Sequence, residues 1–565
     1  MTNADNQRVV SPPLSEMTRL RTPLMPGEEA FLEFLLKHLS QDWEIYVQPH
    51  LNGLRPDFVL LNPRIGLAVF EVKDWRLGAD RRVRRCNPVD TIHHYKDEIH
   101  QLYCPRSASQ TGVALITAGL VFPFEDTARL HTEYDATRLA YGMLNAPRYY
   151  PLVGSDLLAS GNIGEVFPEA TRTSSYLMSA DTSADLRNWL VEPEVSAEQR
   201  RPLGFLNPEQ KRLATSRTDT GFRKIRGPAG SGKSLVLAAR AAQLAAEDKD
   251  VLVVTFNITM LNYLMDLAVR CPNNAGRTRE QVTWLNFHYW CKRVCLEGGA
   301  KSQYDALWHG CHRDEGTESK DDPVLSKVLS RELPSLTSSV LSSEGGNRVA
   351  TYDAILVDEG QDFRLEWWNC LRKALRPGGE MVLVADRTQD IYGVSQYWTE
   401  EKMVGSGLVG AWAQLPWSYR LPNQVVTLAA RFAEDYLPPK DRDLPVSPPA
   451  QGDLLAKLRW VQVRAEDAAA IIAREMMNLA PSADPEHLAM ADITLLAADQ
   501  DTGIAVAQEL NELNVQLEHT FAALGSEGRR RKLAFFKGDA RLKATTLHSF
   551  KGWESRSLVL YTGDQ

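Results

Sequence analysis

The sequence contains no apolar run approaching the ~20 residues that a bilayer-spanning helix requires. Its first stretch, Met1 to Leu24, has prolines at 12, 13 and 23 and lacks the apolar core of a secretory signal. Residues 1–23 read as a disordered lead-in, and the two absences point to the cytoplasm, with no membrane partner. Cysteine is sparse: seven in 565 residues is no disulfide framework. Cys291, Cys295 and Cys311 lie near His309 and His312, but their spacing fits no zinc template, and Cys291 and Cys295 read more simply as two positions on one helix face. Positive charge is not in excess either. The net charge of −8 neither advertises nor excludes nucleic acid, because local patches set such contacts. Two patches exist: Arg76, Arg81, Arg82, Arg84 and Arg85, and Arg529, Arg530, Arg531 and Lys532. The second reads as a solvated basic loop. The first is balanced between that and a phosphate contact, because it follows a cluster of candidate catalytic carboxylates. No internal repeat and no low-complexity tract is present.

What is present is an ordinary globular composition, 44% hydrophobic and 24% charged. At roughly 150 residues per domain there is room for three or four domains. The pattern predicts a helix over Glu28 to Leu39, with Phe31, Leu32, Leu35, Leu36 and Leu39 at helical spacing. Strands follow at 44–48, 57–61 and 67–73, then a helix opening near Pro88 and a strand over 113–121. Residues 135–195 complete this first domain, assigned to 24–190, and the polar stretch 191–204 reads as a linker. From Leu206 the pattern changes to alternating helices and strands, the signature of a parallel α/β sheet. Strands are expected at 222–226, 251–255, 353–357, 381–385, 492–496, 543–547 and 557–561, with a helical insertion over about 265–350.

Gly227-Pro-Ala-Gly230-Ser-Gly232-Lys233-Ser234 matches the phosphate-loop pattern, after one expected strand and at the start of an Ala- and Leu-rich helix. Its glycines let backbone N–H groups close on phosphate oxygens, and the helix N-terminus adds a favourable dipole. Lys233 is placed to reach the β- and γ-phosphates of ATP, and the Ser234 hydroxyl to bind Mg2+. A second apolar strand ends in Asp358 and Glu359. Asp358 can hold Mg2+, and Glu359 can orient and deprotonate the attacking water.

With these motifs in order, residues 206–561 resemble the UvrD/Rep-like superfamily 1 helicases. The resemblance implies two RecA-like motor domains, 205–395 and 396–565, with nucleotide between them. It assigns Gln210 to adenine, and Thr255, Asn257, Phe287 and His288 to single-stranded DNA. In Asp386-Arg-Thr-Gln389-Asp-Ile-Tyr392, Gln389 is the γ-phosphate sensor and Tyr392 meets DNA. Arg420, after Tyr419, contacts the γ-phosphate from the second domain. In the segment from Thr546 to Glu554, His548 serves the DNA and Glu554 the nucleotide. Three departures stand out. Val394 occupies the place of the family's base-stacking aromatic, with Tyr397 and Trp398 nearby. Only about 125 residues separate Arg420 from Thr546, so a large auxiliary insertion is absent or minimal and strand separation is expected to be weak beside translocation. The sequence as given stops at Gln565 without the family's final motif: either it is a shortened form, or a second arginine comes from a protein partner or a neighbouring copy, and slow hydrolysis is expected of this chain alone.

In the first domain, Arg55-Pro-Asp57 and Glu71-Val-Lys73 lie on successive expected strands. Residues two apart on a strand share a face, so Glu71 and Lys73 point together, and Asp57 joins them from the neighbouring strand. Two carboxylates can hold Mg2+, and a lysine beside them can assist deprotonation of water, the chemistry of phosphodiester hydrolysis. Glu28 can complete the acidic set. The layout over 27–123 resembles the nuclease-related (NERD) domain of the PD-(D/E)xK fold, including its opening Gly27-Glu28. The family's helix often carries a glutamine where Thr91 stands here. The expectation is therefore an ATP-dependent DNA translocase or helicase with a metal-dependent nuclease domain, acting on single-stranded DNA or single-stranded ends, in DNA repair or defence against foreign DNA. Two alternatives stand beside it. One is an ATP-gated DNA-binding module whose inactive nuclease domain signals to a partner. The other, less favoured by the resemblance, is an RNA-directed enzyme.

Overall fold

The computed structural model describes residues 8–20, 23–49, 51, 54–74, 76–77, 87–103, 115–190, 206–271, 278–309, 323–386, 403, 405–419, 422–436, 446, 458–479, 490–522, 525–535 and 541–563. The chain divides into two compact units, Met1–Glu198 and Gln199–Gln565. The expected linker at 191–204 lies outside the described residues. Among those described, no helix is long and apolar enough to cross a membrane.

The first unit is built on a six-stranded sheet in sequential order: β1 (Val10–Ser11), β2 (Glu44–Val47), β3 (Phe58–Asn62), β4 (Gly66–Val72), β5 (Ile116–Val121) and β6 (Leu152–Val153). β2, β3 and β4 form an antiparallel meander, and β5 and β6 continue parallel to β4. Every residue of β3 and β4 is buried, which is why they read as largely apolar runs, broken only by Asn62 and Glu71, rather than as alternating ones. The helix Pro26–His38 lays Phe31, Leu32 and Leu35 on this sheet. Phe31 meets Phe58 edge-on at 5.3 Å, and Phe167 packs against Trp43 and Phe70 at 4.9 and 5.5 Å. Each such ring contributes on the order of 1.5–3 kcal/mol by leaving water.

The expected disordered lead-in is corrected for residues 8–20. Val10–Ser11 pairs in parallel with β2, Met17 and Leu20 pack against the core, and Arg8 donates to the carbonyls of Leu35 and Leu36 near the helix end. The polar look of the segment hid a short edge strand, whose backbone bonds need no particular side chain.

The second unit holds two all-parallel sheets. The first runs β12 (Ala413–Gln414), β7 (Phe222–Arg226), β11 (Leu375–Ala385), β10 (Tyr352–Val357), β8 (Val251–Thr255) and β9 (Val282–Asn286). The second runs β14 (Leu517–His519), β15 (Leu542–Thr546), β13 (Ile493–Ala497) and β16 (Ser557–Leu560). The expected seven strands are all present in these sheets. Two expectations need correction. The stretch 265–350 is not wholly helical, because Val282–Asn286 pairs with β8 along five residues. The first sheet also extends past residue 395, because Ala413–Gln414 pairs with β7. A five-residue strand between helices and a two-residue strand are both too short to show a period.

The helix Lys233–Ala246 packs its Ala- and Leu-rich face on this sheet. Arg240 on that helix forks onto Glu380 of β11 at 2.7 and 2.6 Å, both side chains buried. A buried pair is far more costly to break than to omit. Glu380→Ala leaves the Arg240 charge behind and is expected to destabilise the second unit by about 3–5 kcal/mol, read by urea unfolding. Replacing both residues with leucine is expected to cost clearly less than Glu380→Ala alone. Equal losses in the two variants would contradict this.

Candidate active sites

Parallel strands β7, β11 and β10 end at one edge of their sheet, and the loops leaving those ends meet there, where ligands of open α/β sheets bind. The loop Gly227–Ser234 follows β7. Gly232 caps the next helix at φ +85°, and a Cβ there would meet Gln210 Nε2 at 2.5 Å, so only glycine fits. Lys233 opens the helix. Its Nζ donates to the carbonyls of Gly227 and Pro228 at 2.7 and 2.9 Å and meets Asp386, just past β11, at 3.1 Å. Ser234 Oγ donates to Asp358 Oδ2 at 3.0 Å. Asp358 follows β10, and burial together with the charge of Glu359 pushes its carboxyl up to about 7. A carboxyl so placed, beside a serine hydroxyl, suits a divalent cation that would restore its charged form.

Glu359 stands at φ +53°, a left-handed position for a residue with a side chain. Gln361 Nε2 donates to Glu359 Oε2, and Gln361 Oε1 accepts from the N–H of Asp386 at 2.8 Å. One amide thus ties the candidate base to the strand end that holds Lys233. Gln210 forms a reciprocal cap with Asn207 and sends its Nε2 to the carbonyl of Ser231 at 3.0 Å. Tyr419 reaches the same loop: its N–H donates to the Gly230 carbonyl at 3.0 Å, and its hydroxyl accepts from Asn207 at 2.8 Å. Gln389, Tyr392 and Arg420 lie outside the described residues, as do Val394, Tyr397 and Trp398.

The residues expected on DNA separate. His548 is exposed and Glu554 half-buried. Asn257 uses its amide on the carbonyls of Ser549 and Lys551 at 3.1 and 3.2 Å. Thr255 and Phe287 are fully buried. Phe287 stacks on Trp367 at 4.5 Å. His288 packs edge-on to Trp367, with Nε2 at 3.1 Å from the Leu329 carbonyl, and burial pulls its imidazole down to about 4. It stays neutral at ordinary pH and offers no cation to a phosphate. Phe256, half-buried, lies 6.0 Å from His288 and 6.1 Å from Trp367; it sits in the matched segment Thr255–Asn257 but was not singled out in the sequence reading. Cys291 and Cys295 are buried, with Cys295 near the Thr337 hydroxyl at 3.8 Å. They are core residues of one helix, while Cys311 and His312 lie outside the described residues.

In the first unit, Asp57 precedes β3, Glu71 lies on β4 and Lys73 follows it. Asp57 Oδ2 accepts the Val72 N–H at 2.7 Å, which locks it across the β3–β4 pair. Lys73 donates to Glu71. Glu28, in the first turn of its helix, accepts from the Met25 N–H at 2.9 Å and from Gln48 Nε2 at 3.2 Å. Gln48 is a further member of the site that the sequence reading missed. Burial pushes Glu28 up to about 7 against the pull of the Met25 N–H. Burial and then the charge of Glu71 push Asp57 up to about 6. Burial also raises Glu71, with Lys73 opposing. Burial works against the charge on Lys73, but Glu71, Asp57 and Glu28 overcome it and raise that amine. Glu71 Oε2 is buried with no hydrogen-bond partner.

Raised carboxyls and an orphaned buried oxygen are what a cation would relieve. Among the described residues, no three His, Cys, Asp or Glu side chains converge as a ready-made cage, so Mg2+ would rest on one or two carboxylates and keep several waters, its usual habit. From the helix Pro88–Glu98, Tyr95 hydrogen-bonds the Arg55 carbonyl at 3.3 Å. Arg76 is exposed, and the other arginines of its patch lie outside the described residues.

Comparison with known proteins agrees with this geometry. Residues 24–123 match the nuclease-related domain, and residues 210–395 match the AAA domain. The chain therefore carries a nuclease-related domain followed by an AAA domain. No curated protein matches it. Among solved structures, the Pif1 helicase from Candida albicans is similar at 13% identity and a TM-score of 0.26, over 55% of each chain. The chain thus spans about half the length of that structure.

The raised carboxyls set a pH dependence. The folded unit holds protons on Glu28 up to about 7 and on Asp57 up to about 6, whereas the unfolded chain releases them near 4. Without metal the folded state binds more protons, so its stability falls as pH rises from about 4 to about 7. Magnesium favours the charged forms, so the melting-temperature gain it confers should grow over the same interval. Glu28→Gln should flatten part of the metal-free decline. Thermal melts across pH, with and without Mg2+, check this; metal-free stability that rises through the interval would contradict it.

Proposed function

We propose that this chain is an ATP-driven translocase on DNA whose N-terminal domain cuts the strand it handles, in DNA repair or in defence against foreign DNA. The observation that carries the reading is the convergence of Lys233, Ser234, Asp358 and Glu359 at one sheet edge, with Tyr419 on the phosphate loop. Lys233 exchanges its carbonyl partners for the β- and γ-phosphate oxygens of ATP. Ser234 and Asp358 would hold Mg2+, which supplies charge neutralisation when bound. Glu359 takes the proton of the attacking water, and Arg420 meets the charge that spreads in phosphoryl transfer. Opening and closing between the two sheets then advances a single strand.

In the nuclease domain, Asp57 and Glu71 would hold a cation that lowers the pKa of a bound water. Lys73, raised by its carboxylate neighbours, keeps its proton near neutral pH. It therefore stabilises developing negative charge rather than serving as the base. The capture of Glu28 by Met25 and Gln48 favours a second reading, in which the domain grips DNA without cutting and the ATP cycle gates that grip.

Steady-state assays decide between them. Lys233→Ala should weaken nucleotide binding and abolish turnover. Glu359→Gln should bind ATP normally and lose on the order of 10²–10⁴ in rate, the usual worth of a general base. Normal turnover by Glu359→Gln would remove it from that role.

With end-labelled single- and double-stranded DNA, the protein is expected to cut only with a divalent metal. Asp57→Ala, Glu71→Ala and Lys73→Ala should each abolish cutting and leave ATPase activity intact. Metal-dependent cutting at the wild-type rate by Glu71→Ala would refute the nuclease assignment, and binding without cutting by the wild type would establish the second reading.

A further inference from the structure

The loop that follows β15 presses on the candidate base from the other sheet of the second unit. Lys551, on that loop, pairs with both oxygens of Asp362 at 2.7 and 2.8 Å. The pair joins residues 189 apart in sequence, and its side chains are 6% and 1% exposed. Asp362 ends the short turn that carries Glu359, and its N–H donates to the Glu359 carbonyl at 2.9 Å. The next residue, Gly552, sits at φ +84°, and a Cβ there would meet Met260 Sδ at 2.6 Å and Glu359 Oε1 at 3.0 Å. The Gly552 backbone therefore leaves no room for a side chain beside one carboxylate oxygen of Glu359, while Gln361 holds the other.

The loop is pinned from the first sheet as well. Asn257 holds the carbonyls of Ser549 and Lys551, Thr259 Oγ1 donates to Ser549 O at 2.6 Å, and Trp553 Nε1 donates to Thr259 O at 3.1 Å.

We infer that Lys551 is a positioning residue for ATP hydrolysis: its pair with Asp362 seats the loop 549–553 against Glu359, so that the base is aimed only while the second sheet is docked. The inference rests on the reading of this unit as an ATPase. A fully buried ion pair returns little net stability, because desolvation offsets the attraction, so stability alone gives a weak reason to bury one between two sheets. It does impose geometry, because each buried charge needs its opposite held in place. Glu359 also needs such support. Its left-handed backbone at φ +53° is strained and persists only where surrounding contacts hold it. Gln361 supplies that support from within the first sheet, whereas Lys551 and Gly552 supply it from the second. Separation of the sheets would thus withdraw half of what orients the base.

The test compares the full chain with Lys551→Met, Lys551→Arg and Lys551→Met combined with Glu359→Gln. Readouts are steady-state ATPase with saturating single-stranded DNA, binding of a fluorescent ATP analogue, and melting temperature. Lys551→Met is expected to lower kcat on the order of 10- to 100-fold, below the full worth of a general base, with analogue affinity unchanged; it also lowers the melting temperature, because it leaves Asp362 buried without its partner, so the rates are read well below that transition. Lys551→Arg should restore most of the rate. In the Glu359→Gln background Lys551→Met should cost little more, because both act through one group.

Wild-type kcat in Lys551→Met would overturn the inference while leaving the ATPase reading intact. So would a loss that tracks lowered affinity, one that Lys551→Arg fails to relieve while restoring the melting temperature, or one that is fully additive with Glu359→Gln. Absence of turnover in the wild type would remove the ATPase reading and this inference with it.

Discussion

A nearly buried ammonium group organises the second unit. Lys233 is 9% exposed, and a charge taken so far out of water needs close partners. It finds two carbonyls of its own loop and the carboxylate of Asp386. Those groups converge only because β7 and β11 run parallel and in register, with Arg226 opposite Ala385. Once Asp386 is fixed, its N–H fixes Gln361, and Gln361 fixes Glu359. Phosphate oxygens would offer the same lysine a better set of acceptors, so the contacts that complete the site without ligand are those a nucleotide would replace.

The first unit meets the inverse problem. Three carboxyls and one lysine are gathered at the end of β4, and burial raises all three acids. One buried oxygen of Glu71 has no partner. Such a cluster is costly as an anionic group and is relieved by protons or by a cation. The Val72 N–H on Asp57 and the Gln48 amide on Glu28 hold the acids in place under this repulsion. Both units thus keep their candidate chemistry as unfinished electrostatics on a rigid sheet edge, where strand register rather than loop packing sets the positions.

The parts visible in the sequence share a physical trait: each is local. The buried strands β3, β4, β8 and β10 are largely apolar runs, broken by Asn62, Glu71, Thr255 and Asp353. The phosphate loop is a contiguous pattern between a strand and a helix. Glu71 and Lys73 share a face because of a two-residue period. The parts that were not visible are short or remote. β1 and β12 span two residues each, and β9 hides among helices. Phe287 lies in a segment resembling a DNA-contacting motif, yet its ring went to the core beside Trp367, because an aromatic between a strand and a helix is buried whenever a partner ring faces it. Gln48 followed β2 without any pattern to mark it, and only the packing of that strand end on the first helix brings it to Glu28.

By itself, the sequence determined the strand and helix alternation, the loop that would take phosphate, the acidic strand ends, and the carboxylate-lysine face of the first unit. All of these follow from spacing along the chain. Tertiary structure alone decided which acids feel one another, and therefore which hold a proton near neutral pH. It also decided that Asp386 would neutralise Lys233, and that Lys551 would reach Asp362 across 189 residues. The reason is that charge interactions and burial depend on distance in space and on exclusion of water, and neither is encoded by proximity in the chain.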